Sequence, residues 1–532
     1  LIVLTNFVNC DAEKRPNIIF ILADDLGWND VGFHGSSEIP TPNIDALAYS
    51  GILLQNYYVQ PICTPSRSAL MTGKYPIHTG MQHTVLYAAE PRGLPLKERI
   101  LPQYLKDLGY SNHIVGKWHL GHYRKQFTPL YRGFDSHLGL WTGHHDYFDH
   151  TAGEKGIYGL DMRRGMDPAW DLHGQYSTDV FSREAVRIVE KHDASKPLFL
   201  YMAHAAVHSS NAYSPLPAPD DAVAQFTDID NFQRRKFAGM LSRMDDAVGE
   251  LIDALSRKDM LKDSIIVFST DNGGPAAGFN INAASNWPLR GVKNTLFEGG
   301  VRGAGLIWSP LIQKKQRISK QKMHISDWMP TLLSAIKANI SIKYLDGMDV
   351  WRALSEDTQS PRSQILLNID DIYGNAGVTD GKYKLLKGNT YNGVWDKWFG
   401  PSGRNKTYDV DLVLSSKAGK ALGKIGYAPT PDKIRELRDE ADVKCPVPES
   451  ATVCDLKHAP CLFDLELDPC EYNNLADSEP ELLNKMLKLL NSYNLTAVPP
   501  TNLPDDRRAD PRFWDHTWAN FGDITYSLNS IH

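Results

Sequence analysis

Three apolar runs set the frame of this chain, and each ends in a polar or glycine-rich turn. Ile18 to Ala23 gives way to Asp24, Asp25 and Gly27. The run that begins at Leu198 ends near His204 and His208, and Ile265 to Ser269 is followed by Asp271, Asn272 and two glycines. Unbroken apolar runs of this length read as buried strands of a mostly parallel sheet. Segments with helical character lie between them: Pro42 to Ser50, Pro102 to Leu108, Ser177 to Lys191, and Asn231 to Ser256. Strands alternating with helices predict an α/β fold with crossover helices. Ligands bind such sheets beyond the carboxyl ends of the strands, so carboxylates, an amide and histidines are delivered to one edge.

The character changes after about residue 360, where "VTDGKYKLLKG" reads as part of a smaller antiparallel sheet. A cysteine cluster and a helical stretch from Pro480 to Tyr493 follow. The expected organisation is a catalytic domain over 13–360 and a smaller C-terminal domain over 361–532. Residues 1–12 read as the remnant of a secretory signal peptide, cleaved near Cys10 or Ala12, with a frayed strand as the alternative. No later segment approaches the roughly 18 apolar residues of a membrane span. Acceptor sequons at Asn339, Asn405 and Asn494 fit a glycoprotein of the secretory pathway. Composition adds little: 42% hydrophobic and 23% charged residues are ordinary for a globular chain of 532 residues. A net charge of −6 leaves no basic footprint, which argues against nucleic acid or an anionic membrane as the main partner.

The cysteines divide unevenly. Cys445, Cys454, Cys461 and Cys470 allow three disulfide pairings, and an oxidising compartment favours bridges over a zinc site, for which no CxxC pair is present. Cys63, in "PICTPSRSALMTG", stands alone. Thr64 or Cys63 is placed to cap a helix that has Pro65 in its first turn and Gly73 at its end. The helix amides and Arg67, one turn on, favour an anion at position 63, so a thiolate of lowered pKa is one reading. Asp24, Asp25, Asp271 and Asn272 suit one hard divalent cation such as calcium or magnesium, against the plainer reading of turn chemistry. A thiolate beside a hard cation is a poor match in softness.

These motifs carry a resemblance. "CTPSRSALMTG" resembles the first signature of the sulfatases, C-x-P-x-R followed by T-G, and "GYSNHIVGKWHLG" resembles the second, departing from it at Asn112. "DDLGWNDVGFHG" and "SNWPLRGVKNTLFEGGVRG" are most similar to the arylsulfatase B group. The resemblance implies an alkaline-phosphatase-like α/β fold. It also implies that Cys63 is oxidised to Cα-formylglycine by the formylglycine-generating enzyme, for which C-x-P-x-R is the recognition core. Hydration gives a geminal diol, whose contact atoms are oxygens, and the softness objection disappears. One hydroxyl then attacks sulfur with the help of calcium, and the other expels sulfate. Carried over by position, Asp24, Asp25, Asp271, Asn272 and the modified Cys63 hold one calcium ion, and Arg67 orients the diol. Lys117, His208 and Lys293 bind the sulfate, and His119 is a base for the elimination.

The substrate expected from this resemblance is the 4-sulfate of N-acetylgalactosamine in glycosaminoglycans, in a lysosomal or secreted enzyme. Small sulfated metabolites such as plant glucosinolates are the alternative, because "VHSSNAYSPLPAPDDAV" replaces the acidic residue and proline usual after Val-His. "LYAAEPRG" likewise lacks the cysteines common there. A phosphatase or phosphodiesterase of the same superfamily would present Ser or Thr in place of Cys63. A non-catalytic binder of sulfated glycans is the remaining alternative, although every expected catalytic position is filled. "WTGHHDYFDH", with His144, His145, Asp146 and His150, reads as a pocket rim or plain loop, with a second metal site as the rival.

Overall fold

The computed structural model describes residues 15–448 and 450–523. The expected signal remnant over 1–12, with Cys10 and Ala12, lies outside the described residues. A ten-stranded sheet runs through the molecule. From edge to edge its order is Arg317–His324, Ile52–Tyr58, Gly305–Trp308, Ser264–Thr270, Asn17–Ala23, Leu198–Ala203, Ser111–Gly116, Ser136–Gly139, Arg163–Arg164 and Asp167–Pro168. The five strands from Ser264–Thr270 to Ser136–Gly139 pair in parallel, while Gly305–Trp308 is antiparallel to both of its neighbours.

The three predicted strands occupy the centre of this sheet, and both of their faces are covered, which explains the unbroken apolar runs. In the first strand, Ile19, Ile21 and Ala23 enter a core shared with the helices Pro42–Ser50, Ser177–Lys191 and Phe232–Arg257. Ile18, Phe20 and Leu22 alternate into a second core with the helices Cys63–Thr72, Leu101–Asp107 and Trp328–Ala335. These helices match the predicted segments to within a residue or so at each end where a prediction was made.

Register then aligns the strand ends. Ala23 pairs with Thr270, and Ala203 pairs with both Leu22 and Gly116. The residues that follow, Asp24, Asp271, His204 and Lys117, therefore leave the sheet along one edge.

A separate four-stranded antiparallel sheet is built from Gln364–Asp370, Asn375–Asp380, Tyr383–Lys387 and Cys461–Asp464, with the helix Pro480–Asn494 packed on it. The helices between 410 and 441 pack instead into the core of the large sheet, against Pro42–Ser50 and Phe232–Arg257. Of the three pairings left open by the cluster, the structure forms Cys445–Cys470 and Cys454–Cys461, so the rival zinc reading fails. Asn339, Asn405 and Asn494 are all exposed. Among the described residues, no helix is long and apolar enough to cross a membrane.

Candidate active site

The aligned strand ends bring four oxygen-bearing side chains into contact. The Asp25 amide donates to Asp271 Oδ1 at 3.2 Å, and Asn272 Nδ2 donates to Asp25 Oδ1 at 2.7 Å. Asp25 sits at φ 61°, a left-handed conformation that costs a non-glycine residue about 1–3 kcal/mol and tends to mark functional sites. Three cations face these carboxylates. Lys117 Nζ lies 2.6 Å from Asp24 Oδ2, and Lys293 Nζ lies 2.7 Å from Asp25 Oδ1. Arg67 donates from Nε and one terminal nitrogen to Asp271 Oδ2 at 3.1 and 2.9 Å, and its other terminal nitrogen donates to the Lys117 carbonyl. Arg67 is fully buried, so its place is fixed by these acceptors and not by reach toward Cys63.

Cys63 is the first residue of the helix Cys63–Thr72. The expected cap is corrected here: Ile62 is the N-cap, and neither Cys63 nor Thr64 caps through its side chain. Ser66 ties the turn down by receiving the Gln60 amide and donating to the Asp271 carbonyl, while Thr64 donates to the His119 carbonyl. Gly73 closes the helix at φ 67°, the left-handed position expected for it. Cys63 Sγ lies 3.7 Å from Asp24 Oδ1. A thiolate of lowered pKa is not what this site favours, because burial pushes the Cys63 thiol up to about 12, with Asp271 and Asp24 adding to the rise against Lys117 and Lys293. Burial, reinforced by Asp271, likewise pushes Asp24 up to about 7.

The two histidines occupy the wall above this cluster. His119 Nε2 meets the Leu86 carbonyl at 3.0 Å, which places the proton on Nε2 and leaves Nδ1, buried and without a partner, as an acceptor. Its backbone is left-handed at φ 59°, and Gly143 packs on the ring so closely that a Cβ would lie 2.7 Å from it. His208 Nδ1 donates to the Ser209 carbonyl at 2.6 Å, so its Nε2 lone pair points to Asp25 Oδ2 at 3.5 Å. Burial holds both imidazoles well below their usual pKa, with the lysines nearby adding to the effect.

Asp24, Asp25, Cys63 and His208 each offer a ligand atom, all within 4.8 Å of one another. Asn272 Oδ1 is buried with no hydrogen-bond partner. The donor set is dominated by oxygen, and the facing acceptors of His208 and Asp25 have no proton between them. Both features fit a hard cation. The carboxylates are also held by protein donors: Asp271 by Arg67 and the Asp25 amide, Asp25 by Lys293 and Asn272, and Asp24 by Lys117.

The cluster opens into a cavity of about 510 Å³ whose lining includes Cys63, His119, His208 and Lys293. All ten sequence-derived site residues thus meet at one place. The cavity also uses residues that carried no motif: Tyr87, Glu154, Lys155, Ile281 and Tyr391. Tyr391 reaches it from the C-terminal region, where Asn294 Nδ2 donates to its hydroxyl, and nothing local in the sequence marks it. The Ser-rich loop after His208 does line the cavity, through Ser209, Ser210 and Ala212. Within "WTGHHDYFDH" Gly143 and His144 reach it, His144 stacked on His208 with ring centroids 5.8 Å apart. His145 and His150 are bound to the Asp161 and Gln175 carbonyls, and Asp146 receives the Phe148 and Asp149 amides. That segment is a pinned loop and a stretch of pocket wall, not a second metal centre.

Comparison with known proteins agrees with this geometry. A family model described as Sulfatase matches residues 16–338. Arylsulfatase J of Mus musculus is 40% identical over 530 residues, which cover 95% of this chain and 80% of that protein. N-acetylgalactosamine-6-sulfatase of Mus musculus is 33% identical over 411 residues, covering 73% of this chain and 74% of the relative. A solved structure, Ps i-CgsB in complex with k-i-k-neocarrahexaose, superposes with a TM-score of 0.72 at 27% identity, covering 94% of this chain and 97% of the other. With a family match over more than half its length and with Cys63, carboxylates and cations gathered at the sheet edge, the chain belongs to the sulfatase family and is a sulfuric ester hydrolase.

Proposed function

We propose that the cavity hydrolyses sulfate esters of sugars, with Cys63 as formylglycine and one calcium ion held by Asp24, Asp25, Asp271 and Asn272. The observation that carries this reading is that Cys63 and Lys293 line a single cavity, with Asp24 3.7 Å behind the Cys63 sulfur and Lys117 paired to Asp24. Cys63 Sγ stands in for the oxygens of the hydrated aldehyde, which the formylglycine-generating enzyme would create. When bound, the cation would supply Lewis-acid polarisation of the sulfate and favour an ionised hydroxyl. Asn272 Oδ1, buried and unpaired, supports its place there.

The side chains of the chain itself have distinct tasks in this reading. Arg67 holds Asp271 and lies 3.6 Å from Asp24, which fixes the carboxylates against their mutual repulsion. The ammonium groups of Lys117 and Lys293 are preorganised donors for sulfate oxygens in a site shielded from water. His208, which lines the cavity, is assigned to the ester oxygen of the leaving group. His119, neutral and with Nδ1 free to accept, takes the proton that must leave before sulfate is released.

Three observations support a sulfated sugar as substrate: the relatives named N-acetylgalactosamine-6-sulfatase, the neocarrahexaose in the superposed structure, and an open cavity. Within that class, N-acetylgalactosamine 4-sulfate is the specific substrate we assign. The rim favours a second candidate, a small sulfated glycoside, because Tyr87 and Tyr391 line it where a polyanion would call for a basic groove. The two disulfides and the exposed sequons fit the secretory pathway, with a lysosomal or secreted destination.

The test is mass spectrometry of the peptide spanning Cys63, together with turnover of an aryl sulfate by the wild type and by Cys63→Ala. The expected results are loss of the thiol in secreted protein and background activity in the variant. An intact thiol throughout active material would overturn the mechanism. A panel of N-acetylgalactosamine 4-sulfate, its 6-sulfate and a glucosinolate then ranks the substrates.

A further inference from the structure

The walls of the cavity differ in charge. Its floor carries Cys63 at the amide end of the helix Cys63–Thr72 and Lys293, with Lys117 behind them, the groups assigned above to the sulfate. The far rim carries a carboxylate, Glu154, at the end of the strand Thr151–Glu154 in a two-stranded hairpin. Glu154 Oε2 accepts the Ala88 amide at 2.6 Å, while Oε1 has no protein donor among the described residues and is left for a ligand. The adjacent Lys155 does not neutralise it, because its ammonium pairs with Asp505 at 2.5 Å and lies over the Tyr87 ring.

The hairpin is held in place from the loop that follows His208. Asn211 Oδ1 accepts the Gly153 amide at 2.9 Å, and its Nδ2 donates to the Thr151 carbonyl at 2.8 Å. The stretch of sequence that departs from the arylsulfatase B pattern is therefore what positions this carboxylate beside the cavity.

We infer that Glu154 is a specificity-determining residue, which accepts hydroxyl or amide hydrogens from a neutral sugar ring and rejects substrates that carry a second anion next to the sulfated sugar. The inference rests on the sulfatase reading and deepens it. A carboxylate is an acceptor with two oxygens, and the free one suits a polyol. Tyr87 and Tyr391 supply aromatic faces for the apolar side of the same ring. A uronate or second sulfate brought to this wall would meet like charge when Glu154 is ionised.

The charge of Glu154 is set close to neutrality. Burial pushes its carboxyl up to about 7, Asp505 and Glu90 raise it further, and the Ala88 amide and Lys155 oppose the rise. His144 sits beside the same hairpin, its Nε2 3.2 Å from the Gly153 carbonyl, and burial pushes it down to about 4, so that ring stays neutral through the range in which Glu154 titrates. Discrimination against anionic neighbours is therefore present above the Glu154 pKa and is lost as pH falls through it.

The experiment uses aryl-sulfate turnover as the reporter and measures competitive inhibition by N-acetylgalactosamine 4-sulfate and by the chondroitin 4-sulfate disaccharide, which adds a uronate. For the wild type, the ratio of the two inhibition constants should shift about tenfold toward the monosaccharide between about pH 5.5 and about pH 8.5. In Glu154→Gln the ratio should stay flat, and in Glu154→Asp the pH dependence should persist. Matching unfolding midpoints establish that the variants fold. Identical pH dependence in the wild type and Glu154→Gln would overturn the inference while leaving the sulfatase reading intact. Absence of all sulfate-ester turnover in wild-type protein lacking a Cys63 thiol would overturn both.

Discussion

Asn272 Oδ1 is an acceptor buried at the sheet edge with nothing to accept from, while its Nδ2 is bound to Asp25. Such an atom is stabilised by a cation, and a bound cation stabilises the folded state by mass action. Chelation of divalent metal should therefore lower the unfolding midpoint of the wild type by about 2–5 °C, with recovery on adding calcium. Asn272→Ala should show a smaller shift and bind calcium about tenfold or more weakly, read by calorimetry on the metal-free protein. An equal response in both proteins would remove Asn272 from the ligand set. At the same scale, the cysteine position is legible from its spacing to Arg67 and Gly73, whereas the raised pKa of its thiol follows from burial that spacing does not express.

Elements place these residues through close approach. The segment before His145 passes so near His119 that only a glycine fits at 143. Gly143→Ala would press a methyl group on the His119 ring and move its Nδ1 away from the cavity. The expected outcome is a fall of about tenfold or more in kcat with KM changed little, as befits a group needed after substrate is bound. Stopped-flow measurement with an aryl sulfate checks it, since slower sulfate release should produce a burst. The element boundaries themselves were largely legible. Apolar runs gave the three central strands, because strands covered on both faces have no polar positions to interrupt them. The hairpin Thr151–Glu154 and Ile157–Leu160 was not legible, since its short strands are half exposed and lack the alternation that marks a buried face.

The whole molecule is joined by a buried ionic clasp. Lys384, on the small sheet, is fully buried and lies 2.8 Å from both Glu298 and Glu471. Glu298 also accepts the Tyr58 hydroxyl from the large sheet, and Glu471 follows Cys470 of a disulfide. Removing one partner of such a cluster leaves buried charge uncompensated. Lys384→Met should therefore destabilise the fold by about 3–5 kcal/mol, measured by denaturant unfolding. The sign of its pH dependence follows from the carboxylates. Burial already pushes Glu471 up to about 7, with Glu298 adding to it, and Lys384 opposes the rise. Without the lysine, both glutamates would hold their protons to higher pH in the folded state than in the unfolded one. Stability of the variant should then be greatest at low pH and be lost as pH rises through those folded values, so the deficit relative to the wild type grows from about pH 5 to about pH 8. A deficit that shrinks with rising pH would contradict the clasp.

The sequence by itself determined the chemistry of the floor of the site. Cys63 with Arg67, the two strand-end pairs Asp24–Asp25 and Asp271–Asn272, and Lys117 with His119 are local patterns, fixed by what a strand end or a helix start can present. Tertiary structure alone decided which cysteines pair, that Ile62 and not Cys63 or Thr64 is the N-cap of the helix, and which side chains form the rim. Tyr87, Glu154 and Tyr391 come from segments distant in sequence, and they meet only because the hairpin and the C-terminal region fold over the sheet edge. Contacts of that kind depend on the path of the whole chain, and no window of residues carries them. The residues of the floor are local in sequence, and those of the rim are not.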